Sequence, residues 1–309
     1  MNIRKNVNLA KYSNYKIGGS ASYFLEPKTV SELKQAIRFA RGSKLPIFIL
    51  GGGTNLLISD DGFKGIVIRP VLDFFKIVKR NFVEVGAGAS VKNFLKFTVQ
   101  KEMSGMEWAG GLPGSVGGAI RGNAGCFGGE TKDSVVSVKS VRVKDGKIIE
   151  RNNKQCAFGY RDSIFKQRDG EEIIASAIFK LKPGIAKDIK KSIEDKINYR
   201  WSRHPMEHPS IGSTFKNIPL ASLTKKQQAL YREVVKNDPF PVVPVAYIIS
   251  KADVMGKKSG GAMVSPKHPN FIVNMGRAKA KDVEVLIGLV KKSVWDKFKI
   301  RIEEEIIRI

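Results

Sequence analysis

The chain has 309 residues, 42% of them hydrophobic and 27% charged, proportions that exclude a disordered or fibrous protein and leave room for two domains with cores of their own. Lys and Arg outnumber Asp and Glu by 54 to 29, a formal charge of +25, but the basic residues are scattered and no zinc-finger, basic-zipper or RNP-like segment accompanies them, so nucleic acid is not the expected partner. No stretch approaches the roughly 20 apolar residues of a membrane span, and the first residues lack a signal-peptide core, which sets the expectation of a cytoplasmic protein without membrane insertion.

The first predicted element is a helix opened by the capping box T-V-S-E at Thr29, with Leu33, Ala36, Ile37 and Ala40 at helical spacing as far as Gly42. An apolar strand from Pro46 to Leu50 then stops at Gly51, Gly52 and Gly53. Short strands are expected at Gly65 to Ile68, Phe82 to Val85, Val135 to Val143 and Ile173 to Leu181. One helix near Ser90 to Lys101, with Val91, Phe94, Leu95 and Thr98 on one face, interrupts them. Pro183 marks the expected domain boundary, followed by a polar helix from Lys187 to Tyr199. Later come a helix behind the capping box T-K-K-Q at Thr224, another from Asp282 to about Phe298, and a closing strand from Ile300 to Ile309. The fold class expected from this order is α+β, with mixed α/β character.

Four segments carry candidate chemistry. The turn G-G-G-T-N-L-L at Gly51 to Leu57 suits close approach of backbone amides to a pyrophosphate or, equally, a plain tight turn, and it lacks both Rossmann and P-loop spacing. A second glycine-dense segment, Gly105 to Glu130, shifts the balance, because so many glycines cost conformational entropy unless the backbone passes close to something flat or anionic. Two such loops imply a large cofactor. In F-G-Y-R-D-S-I-F, Phe158 to Phe165, Arg161 offers a planar fork for a carboxylate or phosphate, or a surface ion pair. In P-S-I-G-S-T-F-K-N, Pro209 to Asn217, Ser213 follows a glycine as a possible proton donor; a nucleophilic serine is set aside, since no G-x-S-x-G elbow is present and only three histidines exist. His204 to His208 reads H-P-M-E-H, but Pro205 and Pro209 deny it the helix on which a zinc motif depends. Cys126 and Cys156 are expected as unbridged thiols. The terminal Glu303, Glu304 and Glu305 alternate along a strand, so at least one carboxylate either points inward or lies on a solvated edge.

In combination and order, these segments resemble the UDP-N-acetylenolpyruvoylglucosamine reductases over nearly the whole chain: Y-K-I-G-G at Tyr15, G-G-G-T-N-L-L, G-L-P-G-S-V-G-G-A followed by N-A-G, F-G-Y-R-D-S, G-S-T-F-K-N, V-S-P-K-H-P-N-F-I-V-N at Val264, and E-E-E-I at the end. The resemblance implies an FAD-binding fold of the vanillyl-alcohol-oxidase type. Residues 1–185 would hold FAD in two lobes, about 1–68 and about 69–185, and residues 186–309 would form an α+β substrate domain. It implies FAD contacts from Gly51, Gly52, Gly53, Thr54, Asn55 and Leu56, and from Gly111, Pro113, Gly114, Ser115, Gly117 and Gly118. Catalytic residues would be Arg161, which polarises the substrate carboxylate, Ser213 as proton donor, and Glu305. Tyr160, Lys216 and Asn217 would contact the UDP-sugar. NADPH would be the hydride donor, with hydride passing by way of FAD N5 to the enolpyruvyl β-carbon and a proton from Ser213 to the α-carbon. The short spacing between Phe165 and Ser213 matches the branch without the extra substrate-clamping loop, and a monomer is expected. Arg121, Gly122 and Cys126 depart from the residues usual in the family around N-A-G. The runner-up is a flavin oxidase of the same fold.

Overall fold

The computed structural model describes residues 2–237 and 240–309. They fold as two compact units, one of Met1–Val7, Ala21–Gly52 and Lys64–Tyr199, the other of Asn8–Ser20, Gly53–Phe63 and Arg200–Ile309.

The first unit has two cores. Helix α1 (Val30–Ser43) starts at Thr29, whose hydroxyl accepts the N–H of Glu32, while the Glu32 carboxylate accepts the N–H of Lys28 rather than that of the cap itself. Leu33, Ala36, Ile37 and Ala40 face Leu25, Ile66 and Ile68 of a four-stranded sheet in the order Ile3–Asn8, Ser20–Leu25, Phe63–Ile68, Ile47–Ile49. The last two strands run parallel. A five-stranded antiparallel sheet supplies the other core, ordered Ile148–Asn152, Val135–Arg142, Glu172–Lys180, Phe82–Gly86, Phe75–Lys79. Helix α2 (Val91–Gln100), capped by the Ser90 hydroxyl, lays Val91, Phe94 and Leu95 on it, with the Phe94 ring edge-on to Phe179 at 4.9 Å. Two short helices, α3 (Val116–Arg121) and α4 (Ile164–Gln167), follow in the loops.

Helix α5 (Ala186–Arg203) begins one residue before the expected start and continues four residues beyond the expected end. Only Ile189 and Ile193 are buried along it, and Lys191 and Asp195 pair at 2.9 Å on its exposed face.

In the second unit, α6 (Lys225–Leu230) opens on a complete capping box between Thr224 and Gln227, followed by α7 (Val245–Ser250) and α8 (Ala280–Phe298). Val283, Leu286, Ile287, Val290 and Val294 of α8 share a core with Val264, Ile272, Tyr15, Ile17 and Leu57. The early segments belong here because polar groups tie them in. The Tyr15 hydroxyl donates to the Ile272 carbonyl at 2.8 Å, the Asn274 amide donates to the Tyr15 carbonyl at 3.0 Å, and the Asp60 carboxylate accepts the N–H groups of Ala280 and Lys281 that open α8. Burial pushes the Tyr15 phenol pKa upward, so it stays a donor.

The chain end differs from the expected continuous strand. Glu304 bridges antiparallel to Phe215, after which Ile307–Arg308 pairs parallel with Leu56–Leu57. Two different partners, met within four residues, force the bend that breaks the strand.

Candidate active site

Among the expected residues, Gly51, Gly52, Gly111, Pro113, Gly114, Ser115, Gly117, Gly118, Tyr160 and Arg161 lie in the first unit; Gly53, Thr54, Asn55, Leu56, Ser213, Lys216, Asn217 and Glu305 lie in the second. Within the first unit the two glycine loops touch. A β-carbon at Gly52 would stand 2.5 Å from the Gly114 α-carbon, and one at Gly51 would stand 3.0 Å from the Ser115 hydroxyl. At Gly52 the backbone opposite leaves no room for a side chain. The N–H groups of Gly51, Gly52, Gly111, Gly114 and Ser115 find no acceptor among the described residues, which leaves them to a ligand or to water. By contrast, Gly117 donates to the Ala87 carbonyl at 2.9 Å and Gly118 to the Ser115 hydroxyl at 3.3 Å. Backbone N–H groups left without an acceptor on two closely apposed loops fit the anionic diphosphate of a dinucleotide cofactor. In the second unit the N–H groups of Gly53, Thr54 and Asn55 likewise have no acceptor among the described residues, and Leu56 is buried in its strand.

Arg161 occupies a tight turn. Gly159 and Asp162 exchange both backbone hydrogen bonds, at 3.0 and 3.2 Å, and Arg161 between them has a left-handed φ of 55°. Its guanidinium donates to the Gly125 carbonyl at 2.9 Å and stands 5.2 Å from the Tyr160 ring centroid. The turn is fastened by Asn123, wholly buried, whose amide donates to the Gly159 carbonyl at 2.9 Å, and by Ser163, whose hydroxyl donates to the Arg121 carbonyl at 2.7 Å.

The second unit brings Ser213 and Glu305 onto neighbouring backbone, since the Glu305 N–H donates to the carbonyl of Thr214 at 2.9 Å. Gly212, with φ of 82°, supplies the left-handed step before Ser213. The half-buried Ser213 hydroxyl has no hydrogen-bond partner among the described residues. Asn270 grips the next residues from below: its side chain accepts the Phe215 N–H and donates to the Phe215 carbonyl, both at 2.9 Å. Asn55 donates to the Glu305 carbonyl at 3.0 Å, which links the glycine turn to the chain end.

The three terminal carboxylates separate by their partners. Glu303 is exposed and pairs with Lys216 at 3.1 Å. Glu304 is held by Lys291 and by two nitrogens of Arg308. Burial raises its pKa, but the hydrogen bonds from Lys291 and Arg308 outweigh that and leave it below the ordinary carboxylate value. Asn217, expected as a sugar contact, accepts the N–H of Val245 at the start of α7, at 3.2 Å.

Sequence reasoning missed Asn123, Asn270 and Asn274, although N-A-G and V-S-P-K-H-P-N-F-I-V-N contain them; buried asparagines inside recurrent motifs were the available signal. The histidines of H-P-M-E-H lie past the end of α5, and the His204 ring stacks on Phe271 at 4.9 Å and meets His268 edge-on at 5.0 Å. Among the described residues no group of three or more His, Cys, Asp or Glu could hold a metal ion. Cys126 and Cys156 form no disulfide, and among the described residues no helix is long and apolar enough to cross a membrane.

Comparison with known proteins adds independent findings. Residues 21–152 match the family model of an FAD-binding domain, and residues 204–309 match that of the C-terminal domain of UDP-N-acetylenolpyruvoylglucosamine reductase. A reductase of that name from Lachnoclostridium phytofermentans is 36% identical over 303 residues, covering 96% of this chain and 90% of the relative. That from Listeria monocytogenes is 33% identical over 306 residues, covering 98% and 94%. The crystal structure of UDP-N-acetylenolpyruvylglucosamine reductase from Thermus caldophilus, 27% identical, superposes with a TM-score of 0.78 over 99% of each chain. The expected mixed α+β fold with a flavin-binding N-terminal part is thereby found.

Proposed function

This chain belongs to the UDP-N-acetylenolpyruvoylglucosamine reductase family, and from that premise we propose that it uses NADPH to reduce the enolpyruvyl group of UDP-N-acetylglucosamine enolpyruvate to the lactyl group of UDP-N-acetylmuramate. It is an FAD-containing oxidoreductase of peptidoglycan precursor synthesis. We assign FAD binding to residues within 1–185, with the diphosphate on the unsatisfied amides of Gly51, Gly52, Gly111, Gly114 and Ser115. Substrate binding is assigned chiefly to residues within 186–309.

The chemistry FAD supplies when bound is hydride transfer from NADPH to the enolpyruvyl β-carbon. The protein's own groups handle the charge and the proton. Addition of hydride at the β-carbon puts enolate character on the α-carbon and its carboxylate, and a guanidinium fixed beside that carboxylate stabilises the charge as it develops. Arg161, fastened at backbone and side chain, is the group we assign to it. Ser213 gives the proton to the α-carbon. A serine is a weak acid, so it serves only when positioned against a strongly basic carbanion. Gly212 and the Asn270 clamp on Phe215 supply that positioning. Glu305 is the carboxylate we assign to the site, on the family resemblance and because its N–H donates to the carbonyl of Thr214, the residue after Ser213.

The observation that carries this reading is the contact between the two glycine loops, where five backbone N–H groups find no acceptor among the described residues and a β-carbon at Gly52 would overlap the Gly114 backbone. A steady-state assay tests it. NADPH consumption should depend on the enolpyruvyl sugar and yield one UDP-N-acetylmuramate per NADPH; consumption that ignores the sugar and tracks oxygen instead would point to a flavin oxidase.

A further inference from the structure

Arg161 adopts a backbone conformation that its residue type avoids, with φ of 55°. In the tight turn made by Gly159 and Asp162 it fills the left-handed corner, a place more often given to glycine or asparagine. Such strain persists only where the surroundings over-determine it. Here Asn123 holds the Gly159 carbonyl, the Gly125 carbonyl holds the guanidinium, and the ammonium of Lys166 donates to the carbonyl of Arg161 itself, at 2.6 Å. Lys166 comes from α4, which is tied at both ends: Ser163 before it bonds Arg121, and the Gln167 amide donates to the Asp162 carboxylate at 2.8 Å.

We infer that Lys166 is a positioning residue: by holding the Arg161 carbonyl it maintains the left-handed turn that presents the guanidinium to the enolpyruvyl carboxylate. This rests on the role assigned to Arg161 above, and the test separates the two. It uses flavin-loaded wild type and the variants Lys166→Met, Lys166→Arg and Arg161→Lys, with FAD content, Tm, substrate Kd by calorimetry and the rates of both half-reactions. For Lys166→Met, FAD content and reduction by NADPH stay at wild-type levels, Kd for the enolpyruvyl sugar rises, and reoxidation by that sugar slows about ten- to a hundredfold. Lys166→Arg restores most of the lost rate, because a cation of similar reach can donate to the same carbonyl. Arg161→Lys is slow in the same half-reaction. Wild-type reoxidation in Lys166→Met alongside a slow Arg161→Lys removes Lys166 from the mechanism and leaves Arg161 in place. Wild-type reoxidation in Arg161→Lys removes Arg161 and the inference with it. Equal losses in both half-reactions of Lys166→Met, with FAD released and no rescue by arginine, indicate a lysine that only supports the fold and also overturn the inference.

Discussion

At the scale of single residues, three adjacent carboxylates show how partners separate chemistry from scaffolding. Glu304 closes a network with Lys291 and Arg308, so Glu304→Gln should lower stability by about 1–3 kcal/mol while the purified variant turns over normally. Glu305→Gln should reduce turnover about a hundredfold or more in protein that still folds and carries FAD. Thermal melts and steady-state rates on the two variants check this, and exchanged phenotypes would move the catalytic role to Glu304. The same division applies to Ser213. Ser213→Ala removes a hydroxyl that has no partner among the described residues, so it should leave Tm and NADPH-driven flavin reduction intact and slow reoxidation by the sugar about a hundredfold or more. Loss of both half-reactions together would give Ser213 a structural role. Arg161 and Ser213 could be singled out from the chain alone because each stands in a short segment rich in chemistry. Lys166 could not, since a lysine three residues past a serine looks like any solvated lysine until its ammonium is seen on the Arg161 carbonyl.

At the scale of elements, a glycine loop is tested by filling it. A valine at Gly52 would need space that the Gly114 backbone occupies, so Gly52→Val should purify with little or no FAD, read from its absorbance; full flavin content would remove that loop from the cofactor site. The histidine cluster makes a prediction about pH. Burial first, then the charges of His268, Arg200 and Lys267, push His204 down from 6.5 to about 4. Burial and the charge of Lys236 bring His268 to about 4 as well, against a backbone hydrogen bond that raises it. Since the folded values lie below the unfolded one, the unfolded chain binds protons first as pH falls. Stability is therefore complete above about pH 6.5 and declines toward pH 4. His204→Phe should flatten that decline in a series of melts across the range, and parallel curves would show that the pair does not titrate this way. Helices α1, α2 and α6 were legible because caps and apolar faces are local signals. The closing strand was misjudged because its alternation says nothing about the change of partner from Phe215 to Leu56.

At the scale of the whole molecule, the order of elements was readable and the membership of the cores was not. Tyr15, Ile17 and Leu57 have the apolar character of any buried segment, and periodicity reports burial without saying in which core. It takes the bonds from Tyr15 to Ile272, from Asn274 to Tyr15 and from Asp60 to the start of α8 to place residues 8–20 and 53–63 with the C-terminal part of the chain. The two glycine loops, read as cofactor-binding from their glycine density, are in contact in the first unit, where a β-carbon at Gly52 would overlap the Gly114 backbone. The excess of 54 basic over 29 acidic side chains has no counterpart in the assigned chemistry beyond Arg161 and Lys166. Single-turnover spectroscopy on the flavin-loaded protein tests the central claim most directly. NADPH should bleach the bound flavin, and UDP-N-acetylglucosamine enolpyruvate, added without oxygen, should restore its colour with formation of one UDP-N-acetylmuramate per flavin; a flavin that NADPH bleaches but the enolpyruvyl sugar leaves reduced would contradict it.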